Sequence, residues 1–487
     1  MWGSSRSASR GSWARSVSTG WRRWLLAAGV AAGLMVAASI LAASGGAVGG
    51  GMPHWWKPPN DVRAMLHQIS PTTLEQDDST LVGFGTRHTA SSQTDPVRGI
   101  GAAAAWIDSQ LSQFAATSGG SMTVQEQSFV QPVAPRIPVP TTITNVIATL
   151  QGTDSSSSAV YVVCAHYDDR ATDVLDFTSD APGADRDGSG VAAMLELARV
   201  MAAHPAKATI EFVAFDGEEQ GLYGSAFFAQ QAAAAGANIQ GVLNMDTIGS
   251  PLGGNGVNEP HTVSLYSEGV PTKATAGEIA LLQAVGGEND GVSRQLARYI
   301  KETGENAATG MNVQLVYRRD RMLGAGDQIS FDAQGFPAVR FTEPNENYNH
   351  EAQNVQVVNS VQLGDLLDFV DFNYLARVTR VVGSSLAALA NSPEAPSNAH
   401  LLITPPPGFQ GSSDTELSWD ANPESDVVGY EIVWRDSTDP DWTHSLQVGN
   451  VTAYTFKALN KDNTQFGVRA IDNQGHRSPV AYAVPSS

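Results

Sequence analysis

Between residues 51 and 392, short apolar runs alternate with helix-like stretches, and this alternation constrains the fold more than any other feature of the chain. TNVIATLQG and AVYVVCAHYD read as neighbouring buried strands, followed by a helix over 190–204. ATIEFVAFDG is a strand, GLYGSAFFAQQAAAAG a helix and IQGVLNMDTIG a strand. GVSRQLARYIKETG then reads as a helix, MNVQLVYRRD and PAVRFTE as strands, and 361–390 as a long helix. Continuous apolar strands separated by helices predict a mixed, mostly parallel sheet with helices on both faces, an α/β/α sandwich. In such sheets ligands bind beyond the carboxyl ends of the strands. The polar residues of this segment fall there: His166 and Asp168 end one strand, Glu218 and Glu219 follow another, and Asp246 ends a third.

The flanking segments have a different character. Five arginines precede the uncharged run 24–44, which is long enough at about 1.5 Å per residue to cross a bilayer core of about 30 Å. Residues 1–50 are therefore expected to be a signal peptide or membrane anchor ending in a Gly-rich tether, with the remainder extracytoplasmic, either secreted or anchored in the cell membrane. Any membrane contact is expected only through this segment. After the Pro-containing linker SPEAPSN, residues 393–487 show short alternating segments separated by turns, the pattern of a C-terminal all-β sandwich. The formal charge of −20 argues against a nucleic-acid partner. The single cysteine, Cys164, excludes an intramolecular disulfide and reads as a packed core thiol.

Each strand-end cluster has its own chemistry. In HYDD, alternate residues share a face, so Asp168 is placed to orient the His166 ring. In DGEEQGLYGS, Glu218 and Glu219 point to different places, so one can hold a metal while the other acts as a base. NMD offers Asp246, and NENYNHEAQN offers His350 on a loop. Imidazole with carboxylates suits zinc. The turn PGADRDGSG adds two aspartates, Asp185 and Asp187, around an unexpected cation, Arg186.

Taken together with GFGTRHTAS, DAPGADRDGSGVAAMLELAR and GDQISFDAQGFPAVRFTEPNENYNH, these stretches resemble the zinc exopeptidases of the bacterial leucyl aminopeptidase type. That family also contains the glutaminyl cyclases, and the resemblance spans roughly 80–375. It implies an α/β/α fold and removal of N-terminal residues from peptide substrates. It further implies that His166 and Asp246 hold one zinc and Glu219 and His350 the other. Glu218 would be the general base, and Asp168 would support His166. The family turn reads P-G-A-[DN]-D-[DN]-[AG]-S-G, and Arg186 stands where its bridging aspartate belongs. Gln328 and Asn354 replace a usual histidine and acid.

Arginine is charged at any relevant pH, so the substitution suits one zinc, or none, better than two. Three consequences follow: a one-zinc enzyme with Asp185 or Asp187 swung in as a ligand, an inactive binding protein, or a loop re-registered to rebuild a two-metal site. A one-zinc glutaminyl cyclase is a further enzymatic alternative. The C-terminal segment resembles a fibronectin type III module, with Trp419 and Tyr430 as core aromatics and Phe466 in place of the usual tyrosine, and it is expected to meet a surface ligand or to pack.

Overall fold

The computed structural model describes residues 56–322, 324–402 and 414–486; the expected N-terminal segment at 1–50 lies outside them. Among the described residues no helix is long and apolar enough to cross a membrane. The eight strands of the main sheet are β1 (Met122–Gln131), β2 (Thr141–Leu150), β3 (Ala159–His166), β4 (Thr209–Phe215), β5 (Asn238–Met245), β6 (Thr262–Ser267), β7 (Asn312–Val316) and β8 (Ala338–Thr342). Their spatial order is β1-β2-β4-β3-β5-β8-β6-β7. The four central strands β4, β3, β5 and β8 are mutually parallel. Antiparallel pairings then carry the sheet outward, β2 on β4 and β1 on β2 at one side, β6 on β8 at the other.

The central strands are predominantly apolar because both faces are covered. Tyr161, Val163 and Ala165 of β3 enter one hydrophobic cluster, while Val162 and Cys164 enter another. The first face is packed by helices Pro71–Gly83, Ile100–Thr117, Gly190–Met201 and Phe372–Asn391, and the second by Tyr223–Ala235 and Gln328–Asp332. Burying a larger aliphatic side chain such as Val162 or Val163 stabilises the fold by about 1.5–3 kcal/mol.

Two expectations about elements are corrected. β2 and β3 are not neighbours, since β4 lies between them, antiparallel to β2 and parallel to β3. The long helix begins at Phe372 rather than 361, because Asp371 caps it by accepting from the backbone N–H groups of Asn373 and Tyr374. The preceding residues form a small hairpin, Gln356–Val358 with Val361–Leu363.

Past Ser392 the chain forms two four-stranded sheets. Strands His400–Leu402, Thr415–Ser418, Ala453–Phe456 and Val484–Ser486 make one; Val427–Asp436, His444–Gly449, Thr464–Asp472 and Ala481–Tyr482 make the other. They share a core that includes Trp419, Tyr430, Ile432, Phe466 and Val468. These sheets and the α/β region lie in one compact unit, Gly50–Ser487. Lys207 reaches Asp426 and Asp472 at 2.7 and 2.8 Å, and Arg435 reaches Asp290 at 2.7 Å.

Candidate metal centre

The parallel ladder fixes the site. β3 ends at His166, which pairs in register with Phe215, the last residue of β4. Gly217 turns the chain at φ 84°, a left-handed conformation suited to glycine, and opens the one-turn helix Glu218–Gly221. Asp246 follows β5 directly. The Asp168 carboxylate accepts the backbone N–H groups of Glu218 and Glu219, each at 3.0 Å, and so pins the glutamate pair against the end of β3. Its link to His166 differs from the expected one: Nδ1 of the ring lies 3.0 Å from the Asp168 backbone carbonyl, with the carboxylate at 3.6 Å.

Among the described residues, His166, Glu218 and Asp246 form the one group of three ligand-type side chains close enough to share a metal ion, their atoms within 4.8 Å of one another. Nε2 of His166 is 3.8 Å from Glu218 Oε2 and 3.8 Å from Asp246 Oδ1. All three residues are buried, and both His166 Nε2 and Asp246 Oδ2 lack a hydrogen-bond partner. Buried polar atoms normally have partners. A buried, unpartnered imidazole nitrogen facing two carboxylates fits a zinc ion by donor type.

The electrostatics of the group are uneven. Burial, helped by the neighbouring Glu219, pushes the Glu218 carboxyl up to about 8 against the pull of His166 and Arg186. Burial acts on Asp246 in the same sense, yet Arg340, 2.9 Å away, holds it well below the carboxylate range. Glu219 is likewise opposed by burial and drawn down to about 2 by Arg186 and Arg170.

The aspartates of the acidic turn are occupied by backbone N–H groups, mostly of other segments. Asp187 accepts from the N–H groups of His166, Gly190 and Thr247, and Asp185 accepts from that of Gly249 at 2.7 Å. Both are therefore spoken for, which corrects the expectation that one of them swings in as a ligand. A Cβ on Gly190 would lie 2.4 Å from an Asp187 oxygen, so this register leaves no room for a larger residue. Arg186 points into the site: Nε donates to Glu219 Oε1 at 2.6 Å, with Glu218 at 3.9 Å and Glu351 at 3.6 Å. Arg170 takes the other Glu219 oxygen at 2.6 Å.

Glu219 and His350, expected to hold a second zinc, are not brought together in this way. The Glu219 carboxylate is clamped by two guanidiniums, and the His350 ring stacks on Phe369 at 3.5 Å with Nδ1 3.0 Å from Asn347. Gln328 donates to Asp320 at 2.6 Å, and Asn354 accepts from the backbone of Thr172 at 3.0 Å.

Sequence reasoning missed the arginines around the site. Arg340 sits fully buried in β8, bridging Asp246 and Asp320, and Arg321 pairs with Glu346 at 2.6 Å. A signal was present for Arg340, since a lone charge within an otherwise buried strand demands a partner.

Residues 145–369 match the model of Peptidase family M28. A probable zinc metalloprotease of Pyrenophora teres f. teres (strain 0-1) is 44% identical over 433 residues, covering 88% of this chain and 88% of that protein. One from Pyricularia oryzae (strain 70-15 / ATCC MYA-4617 / FGSC 8958) is 47% identical over 434 residues, covering 88% and 85%. Among solved structures, the LapA aminopeptidase of Legionella pneumophila is similar at 18% identity and a TM-score of 0.48, over 70% of this chain and 78% of that one.

Proposed function

The chain belongs to peptidase family M28, and from that premise we propose that it is a zinc-dependent peptidase that removes N-terminal residues from peptides with a single metal ion. His166 and Asp246 would hold the ion and Glu218 would close the group around it. A zinc ion there supplies a Lewis acid for the scissile carbonyl and eases the ionisation of water. Glu218 carries the proton, taking it from the attacking water and delivering it to the leaving amine. Asp168 holds the backbone of the glutamate pair still during these transfers. Arg186 supplies, as a fixed cation on Glu219, charge compensation that a second metal would otherwise provide.

The observation that carries this reading is the grouping of His166, Glu218 and Asp246 within 4.8 Å, with His166 Nε2 buried and unpartnered, beside a second glutamate already neutralised by arginine. Export, with the chain secreted or membrane-anchored, is part of the same proposal and is supported by the arginine-flanked apolar run at 24–44. So is a fibronectin type III-like character for the C-terminal sheets, supported by the shared Trp419, Tyr430 and Phe466 core.

Zinc analysis beside hydrolysis of an aminoacyl-anilide tests the reading. Wild type is expected to hold about one zinc per chain and to release free amino acid, and Arg186→Asp to take up a second ion. A zinc-free wild type that cleaves nothing, beside an active Arg186→Asp variant, would sink it in favour of a binding protein. Release of a cyclised N-terminal Gln instead of free amino acid would point to glutaminyl cyclisation.

A further inference from the structure

The arginines around the metal centre are of two kinds. Arg170 and Arg186 end on Glu219, Arg321 on Glu346, and Arg340 on Asp246 and Asp320. Each of these guanidiniums is neutralised by a carboxylate beside it. Arg136 differs. Its Nη1 donates to the backbone carbonyl of Glu219 at 2.8 Å, its side chain is exposed, and among the described residues no carboxylate lies within ion-pair distance of it. Its Nε and Nη2 donors consequently face solvent at the rim of the catalytic group.

The segment that carries Arg136 is built to hold it in place. PVAPRIPVP, residues 132–140, has prolines at 132, 135, 138 and 140, each fixing its backbone φ. Ala134 and Ile137 exchange backbone hydrogen bonds of 2.9 and 3.0 Å across the tip, and Ile137 is fully buried as the anchor. Val133 and Val139 remain exposed on either side. A long side chain loses rotamer freedom on binding. Here the stiff hairpin and the Glu219 carbonyl have already taken much of that freedom. A fixed guanidinium with two open donors matches a carboxylate in both charge and fork geometry.

Resting on the peptidase reading above, we infer that Arg136 is a specificity-determining residue that binds a substrate carboxylate on the leaving-group side, the free C-terminus of a short peptide. An acidic side chain at the same distance offers the same chemistry, so the test separates the two sources. The probes are a reduced-amide analogue of Leu-Gly-Gly with a free C-terminus, its C-terminal amide, and an amide with Asp as the last residue. Binding to the zinc-loaded full chain is measured by calorimetry.

The free acid is expected to bind about tenfold more tightly than the amide, as for a hydrogen bond to a charged group. Arg136→Gln should bring the ratio to about one, and Arg136→Lys, which keeps the charge and loses the fork, should retain part of it. Tight binding of the Asp-amide would move the assignment from C-terminus to side chain. Equal affinity of wild type for acid and amide, no binding of either, or a ratio unchanged in Arg136→Gln would overturn it. Hydrolysis of ordinary Leu-Gly-Gly is followed alongside. Discrimination without hydrolysis leaves the carboxylate subsite standing and removes the peptidase reading, while hydrolysis without discrimination does the reverse.

Discussion

Glu218 and Glu219 are adjacent in sequence and opposite in state: one carboxyl is raised to about 8, the other drawn down to about 2. Their backbone N–H groups share one anchor, Asp168, so the difference comes from their side-chain surroundings, burial beside the Glu219 charge on one side and two guanidiniums on the other. Groups whose environments push their pKa values apart have acquired separate roles. Glu218→Gln keeps the shape and removes the proton carrier, so turnover of an aminoacyl-anilide should fall by about 10²–10⁴-fold, with the melting temperature held within a degree or two. Loss of zinc along with turnover would instead make Glu218 chiefly a ligand. The turn PGADRDGSG located this site from sequence because its glycines and aspartates allow few other conformations. What could not be read was where each aspartate spends its oxygens. Their partners, Gly249, Thr247 and His166, come from segments distant in sequence.

At the level of elements, the strands buried on both faces were legible as continuous apolar runs, and their order was not. The insertion of β4 between β2 and β3 depends on non-local pairing, to which β2's own sequence gives no clue. The start of the last helix was legible in principle, since Asp371 is an N-cap residue ahead of a helical pattern. A pH effect belongs to this scale. Asp77 lies on helix Pro71–Gly83, and burial, together with Glu196 of helix Gly190–Met201 and against the pull of Arg199, raises its carboxyl to about 7. A carboxyl whose folded pKa exceeds its unfolded one gives stability that is fully present below the unfolded value, about 3.8, and lost as pH rises through the folded one. Asp77→Asn should thus match wild type near pH 4, gain on it between pH 4 and 7, and be more stable by about 1–2 kcal/mol at pH 8, a figure reduced for solvent screening. Thermal melts at the two pH limits check this, and a pH-independent difference would refute it.

The whole molecule joins two kinds of architecture through a few buried charges. SPEAPSN has the composition of a free linker, yet Glu394 within it accepts from Asn238 of β5 with its side chain and from Asn422 of the C-terminal sheets with its carbonyl. Such ties are single polar contacts between segments remote in sequence, and no local pattern announces them. The strongest is Asp290, which takes Arg298 of helix Val292–Gly304 at 2.9 Å on one oxygen and Arg435 of the C-terminal sheets at 2.7 Å on the other. Trp442 lies with both guanidiniums near its ring, at 5.8 and 5.4 Å, and donates to Gln295. Asp290 is 3% exposed, so its removal leaves two buried cations facing each other without an anion. Breaking a buried pair from one side costs about 3–5 kcal/mol. Asp290→Ala should lower the melting temperature of the full chain as one cooperative transition, because the α/β region and the C-terminal sheets both lose a partner. Scanning calorimetry decides the matter. Two separated transitions in the variant, with the upper one at the wild-type temperature, would mean that the C-terminal sheets unfold on their own and that Asp290 stabilises only their docking.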